Sequence, residues 1–259
     1  MELIDTHCHL TFEQLAGNLD EVVVRSRLAG VKSWITVGTD PAENQKVIQI
    51  ADKFENMYAA VGIHPHYAKD TTEGSVKELM ELARNQKVVA IGETGLDYHY
   101  DFSKQQDQRR LFASQLKIAQ DLNLPVIIHS REAFDDTIDI LERFASGVKK
   151  VVFHCFSYSA RQAQIVLDKG FYISFTGVVT FKGADTIRQA AKLVPPERLM
   201  LETDCPYMSP SPMRKQKINE PALMVHTARY LAELKKMDIA DFAEAVTATS
   251  KAFFNLPGK

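Results

Sequence analysis

Two histidines one residue apart, His7 and His9, follow an apolar stretch near the start of the chain. Side chains alternate along an extended strand, so both imidazoles would lie on one face and reach one point. Neutral imidazole is the commonest protein ligand for metal ions. The pair alone is a weak signal, because one core histidine beside one surface histidine would look the same. It predicts a metal site only if other parts of the chain supply further ligands.

Later apolar stretches also end on residues that bind metals, namely Glu93, His129, His154 and Asp204. Any one of these residues is explained equally well as a helix cap or a turn residue. Their placement at the same point of five strand–helix units favours a shared metal site. Six ligands are too many for one catalytic ion that keeps a position open, so the sequence predicts two divalent ions.

The six ligands divide between two ions if one carboxylate bridges them. We expect Glu93 to be that bridge, with His7, His9 and Asp204 completing one ion and His129 and His154 the other. Two neighbouring ions activate a water and clamp the oxygens of a phosphoryl displacement. Asp204 could also take the proton of that water as a general base. Glu93 and Asp204 are therefore the predicted catalytic residues.

Eight short apolar stretches alternate with amphipathic helical stretches along the 259 residues. The predicted strands are 3–10, 31–37, 58–63, 88–91, 125–129, 150–154, 171–175 and 199–204. Roughly 32 residues per unit is the size of a βα repeat, and each return between parallel strands needs a helix. In the competing architecture, a doubly wound open sheet, polar residues would gather near one switch point. Here they end strands from the first to the eighth, which predicts a single (β/α)8 TIM-barrel domain over residues 1–259.

Local signals predict where several helices begin and end. The spacing of apolar residues predicts one helix over 12–28 that stops at Gly30. The pair Asp40-Pro41 predicts an N-cap followed by proline in the first turn. Ser103 with Gln106 predicts a capping box that opens a helix to about residue 122.

Composition limits the classes of function. The formal net charge is −2 and the sequence pI is near 6.5, so contact with a polyanion would have to be local. Three cysteines without a CxxC pair suit a reducing compartment. The N-terminus is unlike a signal peptide, and no apolar run approaches ~20 residues. We expect a cytoplasmic protein that needs neither a membrane nor an obligate protein partner.

Six sequence blocks, in order along nearly the whole chain, resemble the signature blocks of the TatD family of metal-dependent deoxyribonucleases, which belong to the amidohydrolase-like barrels. They are DTHCH at 5–9, GIHPH at 62–66, GETGLDY at 92–98, PVIIH at 125–129, HCF at 154–156 and ETDCPY at 202–207. The YcfH/YabD-type branch is the most similar. Thr11 is a departure, since many members carry aspartate there, but it lies outside the predicted ligands.

The resemblance implies a TIM barrel and two divalent ions, with Mg²⁺ favoured and Mn²⁺ or Zn²⁺ possible. It implies hydrolysis of DNA phosphodiesters, in some members as a 3′-5′ exonuclease, so single-stranded DNA or 3′ ends are the expected substrate. It assigns metal roles to the same six residues derived above.

Substrate contacts are predicted from position along the chain. His64 ends the third strand and Arg131 closely follows His129, so both could contact a phosphate. Asp97 could orient a ligand histidine. The basic run 214–217 follows the eighth strand and could seat one strand end. Phe181, Tyr207 and Tyr98 are candidate platforms for a splayed base, although core packing explains an aromatic residue equally well.

Two other functions fit the same fold. One is hydrolysis of a small cyclic amide or ester, as in amidohydrolase relatives. Many of those bridge their metals with a lysine after the fourth strand, whereas this chain has Glu93, which favours a nuclease. The other is a barrel that only binds a partner. The six predicted metal ligands argue against this second function, because a protein that only binds a partner does not need them.

Overall fold

The computed structural model describes residues 1–144, 147–148 and 150–257. Eight strands form one sheet in which the spatial order, β1 to β8, is the order along the chain. The strands are β1 (Leu3–Cys8), β2 (Val31–Val37), β3 (Met57–Val61), β4 (Val88–Asp97), β5 (Val126–Arg131), β6 (Val151–Phe153), β7 (Tyr172–Phe175) and β8 (Leu199–Leu201).

The helices are α1 (Glu13–Ala16), α2 (Leu19–Ala29), α3 (Pro41–Lys53), α4 (Glu73–Leu82), α5 (Gln105–Leu122), α6 (Phe134–Arg143), α7 (Ala160–Asp168), α8 (Asp185–Leu193), α9 (Met224–Leu234) and α10 (Ile239–Phe254). Short 3-10 helices cover Pro65–Asp70, Gly177–Thr180, Pro196–Arg198, Met213–Lys215 and Pro221–Leu223. Among the described residues, no helix combines the length and apolar character needed to cross a bilayer.

The strands pair in parallel, with helices in the connections between them, as parallel pairing requires. The last strand lies beside the first: Thr6 Oγ1 donates to the carbonyl of Leu201 at 3.0 Å. Just beyond it, the backbone N–H of Asp204 donates to the carbonyl of His7 at 2.9 Å. The fold is the predicted (β/α)8 TIM barrel.

The chain divides into two compact units. Unit 1 comprises Met1–Thr36 and Cys155–Lys259, and unit 2 comprises Val37–His154. Among the largest fully buried side chains, those of unit 1 include Trp34, Phe175, Phe242 and Phe253, and those of unit 2 include Phe112 and Phe153. The single domain predicted over residues 1–259 stays a prediction.

The local predictions around the first two helices had mixed success. The helix expected over 12–28 is two helices, α1 and α2, separated at Gly17 and Asn18. Glycine and asparagine have low helix propensity, and two of them together interrupt the run. The stop at Gly30 is confirmed by its left-handed φ of 102°. The Asp40 cap is also confirmed, because its carboxylate accepts hydrogen bonds from the next two free backbone N–H groups at 2.8 and 3.0 Å.

Two predictions near the fourth strand were wrong. Ser103 does not cap α5; its hydroxyl donates to the carbonyl of His66 at 2.8 Å and accepts from the N–H of Lys69 at 3.0 Å. It therefore fixes the 3-10 helix Pro65–Asp70. Strand β4 also continues past residue 91 to Asp97, so Glu93 lies inside the strand and Asp97 at its end.

Candidate metal centre

The first cluster of metal donors, in unit 1, consists of His7, His9 and Asp204. His7 lies at the end of β1 and Asp204 follows β8, two strands that are neighbours. The Nε2 atoms of His7 and His9 are 3.3 Å apart. Asp204 Oδ1 lies 3.3 Å from His9 Nε2 and 3.7 Å from His7 Nε2. The two histidines are buried, and the Asp204 side chain keeps 13% of its surface exposed.

These separations fit a divalent ion. Ligand atoms about 2.1 Å from a metal lie about 3.0 Å apart in octahedral and about 3.4 Å apart in tetrahedral geometry. The three measured distances of 3.3 to 3.7 Å are close to the tetrahedral value. Two imidazoles and one carboxylate are also a donor set that suits several divalent ions. The first cluster could therefore hold one ion with little rearrangement.

A buried carboxylate, Asp5, supports the first cluster. It accepts hydrogen bonds from the backbone N–H and the hydroxyl of Thr203 at 3.0 and 2.6 Å. Burial raises the pKa of Asp5 to about 7, against the opposing effect of the hydrogen bonds from Thr203. These bonds join β1 to the turn after β8. Asp204 follows in that turn with a left-handed φ of 51°, a conformation that aspartate tolerates better than most residues.

Glu202 was quoted in a sequence block without a role, and the structure gives it one. Its side chain is buried, accepts a hydrogen bond from the backbone N–H of Cys155, and accepts another from the Ser174 hydroxyl at 2.7 Å. Cys155 directly follows His154 in the chain and has a left-handed φ of 44°. Glu202 therefore holds the backbone beside a predicted ligand. The sequence signal that could have identified Glu202 is its position as a carboxylate directly after the apolar strand β8.

The second cluster of metal donors, in unit 2, is centred on Glu93. Its Oε1 atom lies 2.6 Å from His129 Nδ1, 2.8 Å from His154 Nε2 and 3.5 Å from His64 Nε2. His129 Nδ1 and His154 Nε2 are themselves 3.4 Å apart. The two shortest distances bring imidazole nitrogens and the carboxylate oxygen within hydrogen-bonding range, with the proton's position set by the tautomer of each ring. Four donors thus converge on one point from the ends of β3, β5 and β6 and the middle of β4.

Charge and burial prepare these groups to act as ligands. Burial opposes ionisation of Glu93, but the surrounding histidines, His154 foremost, together hold the pKa of that carboxyl well below its usual range. Burial lowers the pKa of His64 to about 4, so its imidazole is neutral at pH 7. An ionised carboxylate and a neutral imidazole are the forms that bind metals.

Asp97 holds His129 from the side opposite Glu93. Its Oδ2 atom accepts a hydrogen bond from His129 Nε2 at 2.9 Å and another from His66 Nε2 at 3.0 Å. Burial opposes ionisation of Asp97, yet these bonds hold its pKa well below its usual range. Histidines that bind metals commonly donate their second N–H to a carboxylate in this way. The predicted contact between Asp97 and one of the predicted ligand histidines, His129, is confirmed.

A glycine in β4 allows this close arrangement. Gly95 pairs with His129 in the register of β4 and β5. It has a φ of +143°, and a Cβ built on it would lie 2.0 Å from the carbonyl oxygen of His129. A larger residue at this position would therefore push β4 away from the strand that carries His129.

The structure thus brings the predicted ligands together in two groups. His7, His9 and Asp204 meet in unit 1, while Glu93, His129 and His154 meet in unit 2. The bridging role of Glu93 stays a prediction.

His64 and Arg131, both predicted to contact substrate, and the neighbouring His66 lie in different surroundings. His64, predicted to bind substrate, is 8% exposed and belongs to the second cluster as a further donor. Arg131 is exposed, with its guanidinium 4.9 Å from the Tyr100 ring centre. His66, in the 3-10 helix Pro65–Asp70, shares Asp97 with His129.

Almost the whole chain matches one family model. The model is described as TatD related DNase, and the match spans residues 4–255. The chain belongs to the TatD family. It is 39% identical to the uncharacterised metal-dependent hydrolase YabD of Bacillus subtilis strain 168, over 98% of this chain and 99% of that protein. These matches confirm the family resemblance that the six sequence blocks indicated.

Two further TatD-family proteins are similar over almost the whole chain. One, named 3′-5′ ssDNA/RNA exonuclease TatD, from Escherichia fergusonii, is 33% identical over 98% of this chain and 99% of that protein. The other is the crystal structure of YjjV, a TatD homologue from Escherichia coli K12. It superposes with a TM-score of 0.93 at 32% identity, covering 98% of both chains. The chain is therefore a metal-dependent hydrolase of the TatD family.

Proposed function

We propose that the protein hydrolyses phosphodiester bonds of DNA and removes nucleotides from the 3′ ends of single strands. The observation that carries this proposal is the presence of two compact clusters of imidazole and carboxylate donors, one in each unit. Two-ion sites of this kind are typical of enzymes that cleave phosphate esters. The name of the relative from Escherichia fergusonii, a 3′-5′ ssDNA/RNA exonuclease, supports the choice of substrate and direction.

We assign one divalent ion to each cluster. His7, His9 and Asp204 would hold the first, and Glu93, His129 and His154 the second, with His64 as a further donor. The bound ions would supply Lewis-acid activation of a water and of a phosphate oxygen. Mg²⁺ is the ion favoured by the family, while the imidazole-rich donor sets also suit Mn²⁺ and Zn²⁺.

The residues of the chain have separate tasks in this proposal. Asp204 is the one carboxylate of the first cluster, and its partial exposure lets its oxygen reach a water. It would accept the proton of the attacking water as general base. Glu93 stays ionised and anchors the imidazoles of the second cluster. Asp97 fixes His129 with its Nδ1 atom towards Glu93. Arg131, on the exposed end of β5, would contact a substrate phosphate.

Purified protein incubated with 3′-labelled DNA tests the proposal. Single strands and duplexes would be compared in EDTA and after addition of Mg²⁺, Mn²⁺ or Zn²⁺, with RNA of the same sequence as a further arm. We expect stepwise loss of nucleotides from single-stranded DNA only in the presence of metal. Absence of cleavage on every nucleic acid, together with turnover of cyclic amides, would contradict the proposal and support the amide-hydrolase alternative.

A further inference from the structure

The loop 98–104, between β4 and α5 in unit 2, exposes two aromatic rings. Tyr100 is 42% exposed and Phe102 is 52% exposed. Their ring centres are 5.4 Å apart and their planes are inclined by 32°. His66 contacts both, with its ring centre 5.4 Å from Tyr100 and 4.7 Å from Phe102. Single exposed apolar residues are common, whereas two adjacent rings backed by a third form a surface.

This surface is joined to the second cluster by direct contacts. The ring of His66 lies 4.2 Å from the ring of His64, which in turn lies 3.5 Å from Glu93 Oε1. Asp97 fixes the start of the loop, because its Oδ1 atom accepts from the backbone N–H groups of His99 and Tyr100 at 3.0 and 3.1 Å. The carboxylate that orients His129 therefore also positions the aromatic rings. Their distance from the metal donors is set by hydrogen bonds.

The charged residues beside the rings are of both signs. Arg131 lies over the Tyr100 ring, but it is followed by Glu132, and Asp101 separates Tyr100 from Phe102. Lys or Arg clusters would be expected where a phosphate backbone is held by charge alone. Flat aromatic faces with one guanidinium are instead the chemistry that binds unpaired nucleobases by stacking.

We propose that Tyr100 and Phe102 form a stacking site for an unpaired nucleobase beside the second cluster. This inference rests on the proposed nuclease function and adds a source of preference for single strands. A base within a duplex has both faces stacked on its neighbours and would have to be unstacked to occupy the site. The three aromatic residues singled out from the sequence are less suited to this role or lie in other settings. Tyr98 and Phe181 are only partly exposed, and Tyr207 lies in unit 1.

The test uses a single-stranded oligonucleotide with a 3′-terminal 2-aminopurine and hydrolysis-resistant phosphorothioate linkages. The fluorescence of 2-aminopurine falls when the base stacks, so binding and stacking are read together on the metal-loaded protein. We expect quenching by the wild-type protein, and roughly tenfold weaker binding with less quenching for Tyr100→Ala and Phe102→Ala. Because stacking releases no counterions, this loss should be the same at low and high salt.

Matched variants separate stacking from damage to the fold. Phe102→Leu keeps an apolar side chain but removes the aromatic face, so it should lose quenching, whereas Phe102→Trp should keep it. Tyr58→Ala is the control, since Tyr58 at the start of β3 also pairs with a cation, Lys87, at 5.7 Å but lies at the opposite end of the strands. Tyr58→Ala should bind like the wild-type protein.

Parallel assays with unmodified 3′-labelled DNA distinguish the two proposals. Quenching that depends on Phe102, in a protein that cuts no nucleic acid, would support the stacking site and contradict the nuclease function. Cleavage of DNA with unchanged binding and quenching in both alanine variants would overturn the stacking site alone. Absence of quenching by the wild-type protein would also overturn it.

Discussion

Replacing Asp97 by asparagine should disable the second cluster without touching its donors. The Oδ2 atom of Asp97 now accepts hydrogen bonds from the Nε2–H groups of His129 and His66 at 2.9 and 3.0 Å. An asparagine can keep one oxygen for the loop N–H groups, but it then presents an NH₂ donor to both imidazoles. Two donors would then face each other, and this repulsion is relieved if His129 carries its proton on Nδ1, the atom that lies 2.6 Å from Glu93. A protonated Nδ1 cannot bind a metal ion.

The size of the effect follows from the role of such carboxylates. Removing the partner of a metal-binding histidine usually weakens metal affinity or activity by about 10- to 100-fold, or about 1.4–2.7 kcal/mol. We expect Asp97→Asn to fall in this range, because His129 is one of the two closest partners of Glu93. Glu132→Gln is the matched control. It makes the same chemical change in an exposed carboxylate–histidine pair, with His99 at 2.6 Å, and should leave metal affinity unchanged.

The assay is a competition titration of metal binding, combined with NMR of the histidine ring nitrogens. The spectrum should show His129 protonated on Nε2 in the wild-type protein and on Nδ1 in Asp97→Asn. Equal metal affinity in both proteins would refute the reasoning. A loss of metal affinity without a change of tautomer would also refute it, because the cause would then be damage to the fold and not the protonation of the His129 ring.

Three further predictions concern other parts of the molecule. Asp204→Asn should lower turnover on DNA by about 10²–10⁴-fold while metal affinity changes much less; equal losses in both would make Asp204 a ligand only. Gly95→Ala should lower the midpoint of urea unfolding strongly because its Cβ would meet the carbonyl of His129, whereas Gly17→Ala, with open space around it, should be neutral or slightly stabilising; similar midpoints would contradict this. Burial lowers the pKa of Lys235 from 10.5 to about 8, so the unfolded chain keeps this proton to higher pH and stability should rise as pH increases from 8 towards 10.5. The gain, of the order of 1 kcal/mol after allowing for partial exposure, should vanish in Lys235→Met, as measured by urea unfolding at pH 8 and 10.

The sequence predicts the eight strands and both donor clusters for the same reason. In a parallel βα unit, a short apolar run forms the strand and the polar residue after it lies at the carboxyl end of that strand. His7, His129 and Asp204 could therefore be placed without knowing any contact. The cap at Asp40 was equally local, since its hydrogen bonds reach only the next turn.

The predictions that were wrong, on the end of β4 and the cap at Ser103, concern positions that are fixed by contacts between segments distant in sequence. Gly92 and Gly95 suggested the end of a strand, but pairing with β5 carries β4 on to Asp97. Ser103 has a capping-box sequence, yet it bonds to the 3-10 helix Pro65–Asp70, more than thirty residues earlier. His64, predicted to bind substrate, lies among the donors of the second cluster, and its substrate role stays a prediction.

The exposure of Tyr100 and Phe102 could not be predicted either. Aromatic residues near a strand end are usually part of the core, and composition does not distinguish a buried ring from an exposed one. Only the structure shows that both rings reach solvent beside the second cluster.

Counting the metal ions bound to the protein tests the central claim most directly. Elemental analysis of metal-saturated, gel-filtered protein should give two ions per chain in the wild type. It should give one ion in His9→Gln and one in His154→Gln, with cleavage of DNA lost in both variants and in EDTA. One ion or none in the wild-type protein, or undiminished cleavage of DNA after chelation, would contradict the account.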